Sequence, residues 1–187
     1  MNYCSVCAAS LEYSIPVGDA LPRYHCAACG TIHYQNPKLV VGTLPIYDGR
    51  ILMCKRNIEP RFGLWTLPGG FMENGETLEQ GAARETWEEA QTRPDIRQML
   101  SIISLPQYDQ VHVYYLADMR SPDFAITPES SEVKLFDLAD IPWQHIAFRT
   151  VLKTLEHYAA HHERISAGVF PLLQTDIAPT QQTLIGS

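Results

Sequence analysis

The stretch from Gly70 to Glu89 holds the residues best suited to chemistry. Glu76, Arg84, Glu85, Glu88 and Glu89 follow two adjacent glycines, Gly69 and Gly70. Thr77, with Gln80 three residues on, makes a capping box and predicts a helix over 77–91. At about 3.6 residues per turn, Glu85, Glu88 and Glu89 share one arc of roughly 100°. Gly81 falls on that arc and leaves room for a ligand. Ala83, Thr86, Trp87 and Ala90 fall on another arc and are expected to pack inward. Three crowded carboxylates repel one another, and a hard divalent cation, Mg²⁺ or Mn²⁺, relieves that repulsion. Arg84 is placed to pair with one carboxylate and orient it. The helix alone is also compatible with a plain solvated acidic face. The run Leu64 to Gly70 shifts the balance, because an apolar, glycine-rich approach to a helix offers peptide groups at close range.

A second constellation opens the chain. Cys4 and Cys7 form one C-x2-C pair, and Cys26 and Cys29 form another eighteen residues later. Zinc takes four thiolates in a tetrahedron with Zn–S near 2.3 Å, and this spacing falls in the zinc-ribbon range. Four ordinary buried cysteines are the alternative. A four-cysteine site is closed to substrate, so the zinc is expected to be structural and to supply folding energy to a segment too short for a core of its own. His25 and His33 are read as neighbours of the cluster. Gly30 suits the turn after the second pair, whereas Ala8 stands at that place after the first. Cys54 is left over and reads as a buried thiol on a strand.

These groups must be positioned by ordered elements. Strands are expected over Lys38–Ile46, Arg50–Lys55, Ile96–Leu105, Gln110–Ala117 and Val133–Asp137, with Asp48-Gly49 as a hairpin turn. A second helix is expected over His145–His161, carrying an apolar stripe. Interleaved strands and helices imply an α/β (α+β) core with helices on both sides of a mixed sheet. The expected divisions are a zinc ribbon at 1–35, a main domain at 36–162, and a C-terminal tail at 163–187 with one short strand. Of the 187 residues, 45% are hydrophobic and 19% charged, a globular composition, and no apolar run could cross a membrane. With no basic segment leading into an apolar stretch at the N-terminus, a cytoplasmic location is expected. The net charge of −7 argues against a broad nucleic-acid footprint, but not against a phosphorylated small molecule bridged by cations.

Gly70, Glu76, Arg84, Glu85, Glu88 and Glu89 match the motif G-x5-E-x7-R-E-U-x-E-E-x-G-U at every charged position, and the chain resembles the Nudix hydrolase family. Thr86 replaces the usual aliphatic residue and Gln91 the final glycine, which puts the geometry after the helix in question but not the acids. Further likeness lies in Asn36-Pro37-Lys38, Cys54-Lys55-Arg56-Asn57 and Gly63 to Pro68. These look like a branch that carries an N-terminal zinc ribbon and includes the plant chloroplast FAD pyrophosphatase. The likeness runs from about Cys4 to about Tyr158. It implies a Nudix α/β/α sandwich, with catalytic cations on Glu85, Glu88, Glu89 and the Gly70 carbonyl, Arg84 orienting Glu85, and Glu76 in support. The general base would be a helix glutamate or a loop acid, Glu129 or Glu132. Trp65, Phe71, Tyr108 and Tyr114 are candidate platforms for a base or flavin ring, with core packing as the alternative for each. The implied substrates are FAD and ADP-ribose, cut at the diphosphate. NADH, capped RNA and dinucleoside polyphosphates are rivals, as is a non-catalytic nucleotide-binding module. The S-Q-P-W-P-F-P-x-S run of zinc-bearing NADH pyrophosphatases is absent. Relatives imply a homodimer.

Overall fold

A computed structural model describes residues 1–178. The expected polar run Thr180 to Thr183 lies outside the described residues. The chain divides into two compact units, Met1–Pro37 and the remainder from Lys38.

The first unit is a three-stranded antiparallel sheet of β1 (Glu12–Ser14), β2 (Arg23–His25) and β3 (Ile32–His33) in the order β1-β2-β3. Two cysteine turns sit at its ends. The Ala8 N–H returns to the Cys4 carbonyl and the Gly30 N–H to the Cys26 carbonyl. Both turns use a left-handed residue at the same place, Gly30 at φ 74° and Ala8 at φ 61°. Ala8 therefore adopts the glycine geometry with a side chain attached.

The second unit is built on one sheet with strand order β10-β5-β4-β9-β8-β11. Its strands are β4 (Lys38–Tyr47), β5 (Arg50–Arg56), β8 (Pro94–Leu105), β9 (Gln110–Met119), β10 (Ser130–Phe136) and β11 (Leu173–Asp176). β6 (Trp65–Thr66) pairs with β5, and β7 (Gly69–Phe71) pairs with β4. The β4–β9 and β8–β11 pairs are parallel and the others antiparallel, so the sheet is mixed. Asp48 and Gly49 both have positive φ, as a tight hairpin between β4 and β5 demands.

Alternation along the strands divides the core between the two helices, α1 (Leu78–Ala90) and α2 (Arg149–Ser166). Val113 and Tyr115 of β9 join Val41 of β4 and Ala82 of α1. Tyr114 and Leu116 face the other way and join Leu44, Leu100 and the α2 residues Val151, Leu155 and Tyr158. One helix thus covers each face, giving the α/β/α sandwich.

Several elements differ from expectation. α2 starts at Arg149, not His145. Trp143–His145 form a 3₁₀ turn instead, Ile146 is extended and bridges Trp65, and the Ala147 N–H donates to the Trp65 carbonyl (2.8 Å). It ends at Ser166, past the expected boundary at 162, and β11 adds a parallel edge to β8, so this part of the expected tail belongs to the sandwich. Gln91 closes α1 in the left-handed region (φ 54°), where the glycine of the motif would be relaxed. Its Nε2 donates to the Trp87 carbonyl (2.9 Å), a local bond that glycine lacks.

Candidate active site

β7 lays Gly69 and Gly70 along β4, with Val41 opposite Gly70 and Gly42 opposite Gly69. α1 then packs on β4 and β7, and its buried residues are Gly81, Ala82, Glu85, Thr86, Glu89 and Ala90. Glu85 and Glu89 are therefore on the buried face, one turn apart, while Glu88 is half exposed. Two expectations are corrected here. Trp87 lies outward, 37% exposed, with the Arg93 guanidinium 4.4 Å over its ring. Gly81 makes room for Glu76 rather than a ligand, since a Cβ there would lie 2.5 Å from Glu76 Oε1. At Gly70 a Cβ would lie 2.5 Å from Glu85 Oε2, so the glycine lets the backbone approach that carboxylate.

Arg84 organises the acids. Its Nε and Nη2 grip Glu76 (3.0 and 2.8 Å), Nη1 donates to Glu85 (2.7 Å) and Glu88 (2.9 Å), and Nη2 also donates to the Phe71 carbonyl (3.1 Å). All five guanidinium N–H groups are thereby used. Glu76 is held down to about 2, first by Arg84 and then by the Glu73 N–H (2.7 Å). Glu85 is pushed up by burial, partly offset by Arg84.

Glu89 stands apart. It is 6% exposed, and burial, reinforced by the charge of Glu85, pushes its carboxyl up to about 8. Among the described residues its Oε2 is buried without a hydrogen-bond partner. A buried carboxylate oxygen left unpaired beside a second carboxylate fits a hard divalent cation, and Glu85, Glu88, Glu89 and the Gly70 carbonyl would supply its oxygens.

The two loop acids separate. Glu129 adds to the negative field on both Glu85 and Glu89, and its carbonyl accepts from the Asn57 N–H (2.8 Å). Glu132 is tied to Lys55 (3.5 Å) on the β10–β5 ladder. The aromatic candidates separate too. Tyr114 is 3% exposed and belongs to the core. Trp65 is buried edge-on against Phe136, with the Lys55 ammonium 5.7 Å from its ring. Core packing accounts for both. Phe71 is exposed under the Lys38 ammonium (5.4 Å), and Tyr108 is exposed on a 3₁₀ turn whose next residue, Asp109, accepts from the Lys38 N–H. Phe71 and Tyr108 therefore stand at one end of the sheet. The Cys54 thiol of β5 lies 3.8 Å from the Glu89 carbonyl.

In the first unit, all four cysteine sulfurs lie within 4.8 Å of one another. Cys4–Cys29 and Cys7–Cys26 are 3.7 and 3.5 Å apart. A ZnS₄ tetrahedron has edges of about 3.8 Å, so the thiols stand at the spacing zinc requires. The Thr31 hydroxyl, 3.1 Å from Cys29, helps bring that thiol down to about 6.

Residues 36–155 match the NUDIX domain family, and residues 2–35 match the Nudix N-terminal zinc-ribbon family. The chain belongs to the Nudix hydrolase family. A solved Nudix hydrolase from Nitrosomonas europaea superposes with a TM-score of 0.89 at 46% identity, covering 95% of this chain and 99% of that one. An ADP-ribose pyrophosphatase from Methanocaldococcus jannaschii is 31% identical over 113 residues, 58% of this chain and 67% of the relative. The NAD-capped RNA hydrolase NudC of Chromobacterium violaceum is 30% identical over 144 residues, 75% of this chain and 52% of the relative. The Nudix chain thus spans about two thirds of the first of these relatives and about half of the second. Among the described residues no helix is long and apolar enough to cross a membrane.

Proposed function

We propose that the protein hydrolyses the diphosphate of ADP-ribose and of FAD, releasing AMP together with ribose 5-phosphate or FMN. The observation that carries this reading is the buried Glu89 Oε2 beside Glu85, unpaired among the described residues, on the helix where the family holds its divalent cations. A bound Mg²⁺ or Mn²⁺ would neutralise the diphosphate oxygens and make an attacking water more acidic. The chain's own residues do the rest. Glu85, Glu88 and Glu89 bind the cation, Arg84 fixes the first two, and Glu76 fixes Arg84. Glu129 is the better-placed base, because its charge acts on both buried glutamates whereas Glu132 is paired with Lys55. Water adds to one phosphorus, the bridging oxygen leaves with the other phosphate, and the water's proton passes to the base. Phe71 and Tyr108 offer exposed rings for a base or flavin. In the first unit the four thiolates hold a structural zinc.

ADP-ribose is supported by the archaeal pyrophosphatase relative, and FAD by the AMP half that both substrates share. The NudC relatives favour a second reading, hydrolysis of NADH or NAD-capped RNA, because that likeness covers three quarters of this chain. Initial rates on ADP-ribose, FAD, NADH, NAD-capped RNA and a dinucleoside polyphosphate, each with Mg²⁺ and with Mn²⁺, decide between them. ADP-ribose and FAD are expected to lead in kcat/KM. A lead of more than about tenfold by NADH or the capped RNA would replace this substrate assignment.

A further inference from the structure

α2 carries His157, His161 and His162, none of which belongs to the acidic site of α1. His157 and His161 are one turn apart, so their side chains are neighbours on one face of the helix. Both are half-buried, and their rings lie with centroids 4.5 Å apart and planes tilted by 43°. Each ring is fixed by a backbone carbonyl. His157 Nε2 stands 2.8 Å from the carbonyl of Pro171, in the segment between α2 and β11. His161 Nδ1 stands 2.9 Å from the His157 carbonyl.

A carbonyl oxygen only accepts, so each of these nitrogens carries the proton and donates. The nitrogen left to offer a lone pair is therefore Nδ1 in His157 and Nε2 in His161. Neither has a hydrogen-bond partner among the described residues. A ring whose one N–H is held by a carbonyl presents its other nitrogen in a fixed direction, as metal-binding histidines do. Two histidines four residues apart are also the spacing at which a helix offers two ligands to one cation. His162 is turned about 100° round the helix from His161, off this face.

The ring spacing discriminates between cations. A metal bound by imidazole lies about 2.0–2.1 Å from the nitrogen, hence about 3.2 Å from the ring centroid. Two such rings at a right angle about the metal have centroids about 4.5 Å apart, and at a tetrahedral angle about 5.2 Å. The observed 4.5 Å matches the right angle, the geometry of square-planar and tetragonal ions. Copper and nickel take it with imidazole ligands, whereas zinc prefers the tetrahedron.

We propose that His157 and His161 form a second metal site, chelating Ni²⁺ or Cu²⁺ through Nδ1 and Nε2, with water completing the coordination. It shares no residue with the α1 acids or the thiolate cluster and does not depend on the hydrolase reading. A bound ion would join two turns of α2 and hold the His157 ring on the Pro171 carbonyl, fastening the segment that leads into β11.

The test uses the full chain without an affinity tag, with zinc supplied to its thiolates and millimolar Mg²⁺ present to occupy the α1 acids. Ni²⁺ is titrated calorimetrically into wild type, His157→Gln, His161→Gln and His162→Gln. Gln at position 157 can still donate to the Pro171 carbonyl, so the segment stays docked while the ligand is lost. Wild type should bind one Ni²⁺ that His157→Gln and His161→Gln each bind at least roughly tenfold more weakly, and His162→Gln should stay within about twofold of wild type. Electron paramagnetic resonance with one equivalent of Cu²⁺ should show two equatorial nitrogens in wild type and in His162→Gln, and fewer in the other two variants. Unchanged Ni²⁺ affinity in either His157→Gln or His161→Gln would overturn the chelate. An equal loss in His162→Gln would overturn it too, because binding would then be spread along the helix surface.

Discussion

Glu88 and Glu89 are neighbours with opposite environments, and their substitutions should separate accordingly. Both lose a cation ligand as Gln, so each variant is expected to lose roughly a hundredfold or more in kcat with Mg²⁺. Full activity in both would sink the catalytic reading. Their stabilities should differ. Glu88 is half exposed and pairs with Arg84 at the surface, so Glu88→Gln should lie within about 0.5 kcal/mol of wild type. Glu89 is buried, with a carboxyl raised to about 8 from an ordinary 4.5. A carboxyl raised in the fold contributes its stability fully below 4.5, and that contribution is lost as pH rises through 8. Without added divalent cation, wild type should therefore melt lower at pH 8.5 than at pH 5. Glu89→Gln should flatten that dependence and melt higher than wild type at pH 8.5, by about 1–3 kcal/mol equivalent. Mg²⁺ should raise the wild-type midpoint at pH 8.5 and leave that of Glu89→Gln nearly unmoved. Thermal melts across this pH range read all three, and a pH-independent wild-type midpoint would refute the assignment of Glu89.

At the scale of elements, α1 carries a feature that its motif does not anticipate. Thr86 stands where an aliphatic residue is usual, in a fully buried position. Its hydroxyl donates to the Ala82 carbonyl (2.7 Å) and accepts from the Thr43 hydroxyl of β4 (2.6 Å). The hydroxyl pair thus ties the helix to the strand that also carries β7. Thr86→Val should cost about 1–3 kcal/mol, because the buried Thr43 hydroxyl loses its partner, whereas Thr43→Val with Thr86→Val together should recover most of that loss. Urea melts of the four-member cycle measure it, and an additive double variant would show that the two hydroxyls act independently. The sequence made the acids, their shared arc and the capping box legible, because spacing alone determines them. It turned the arc of Ala83, Thr86, Trp87 and Ala90 inward, which holds for Thr86 and Ala90 but not for Trp87, and it did not place Glu85 and Glu89 on the buried face. The outcome depends on Gly81 and Ala82, whose smallness lets α1 settle against β4 with Glu85 and Glu89 turned in and Trp87 turned out. Tertiary packing also decided the start of α2. Residues 145–148 follow a helical apolar pattern, but His145 closes a 3₁₀ turn and Ile146 and Ala147 bond to Trp65, so α2 begins only after Phe148, its extended N-cap.

At the scale of the whole molecule, the two units are stabilised by different physics. The unit from Lys38 buries long apolar side chains from both faces of one sheet. The unit Met1–Pro37 buries almost nothing of that kind. Its buried hydrophobic residues are Cys4 and Cys26, while Tyr3, Val6, Tyr13, Ile15, Val17, Leu21 and Tyr34 are all exposed. Strands of two or three residues cannot order such a segment, so the thiolate cluster must provide its folding energy. Protein purified without added metal should therefore contain about one zinc per chain by mass spectrometry. Cys26→Ser removes a buried thiolate and leaves three, so zinc content should fall well below one. The backbone between 1 and 37 should then become sensitive to limited proteolysis, while cleavage sites beyond Lys38 stay protected. Hydrolysis should be reduced far less in this variant than in Glu89→Gln, because none of its changed atoms belongs to the acidic face of α1. Fresh reduced protein without zinc, or with disulfides among the four cysteines, would remove the zinc assignment. A loss of activity in Cys26→Ser as deep as that in Glu89→Gln would show instead that the cluster takes part in the chemistry.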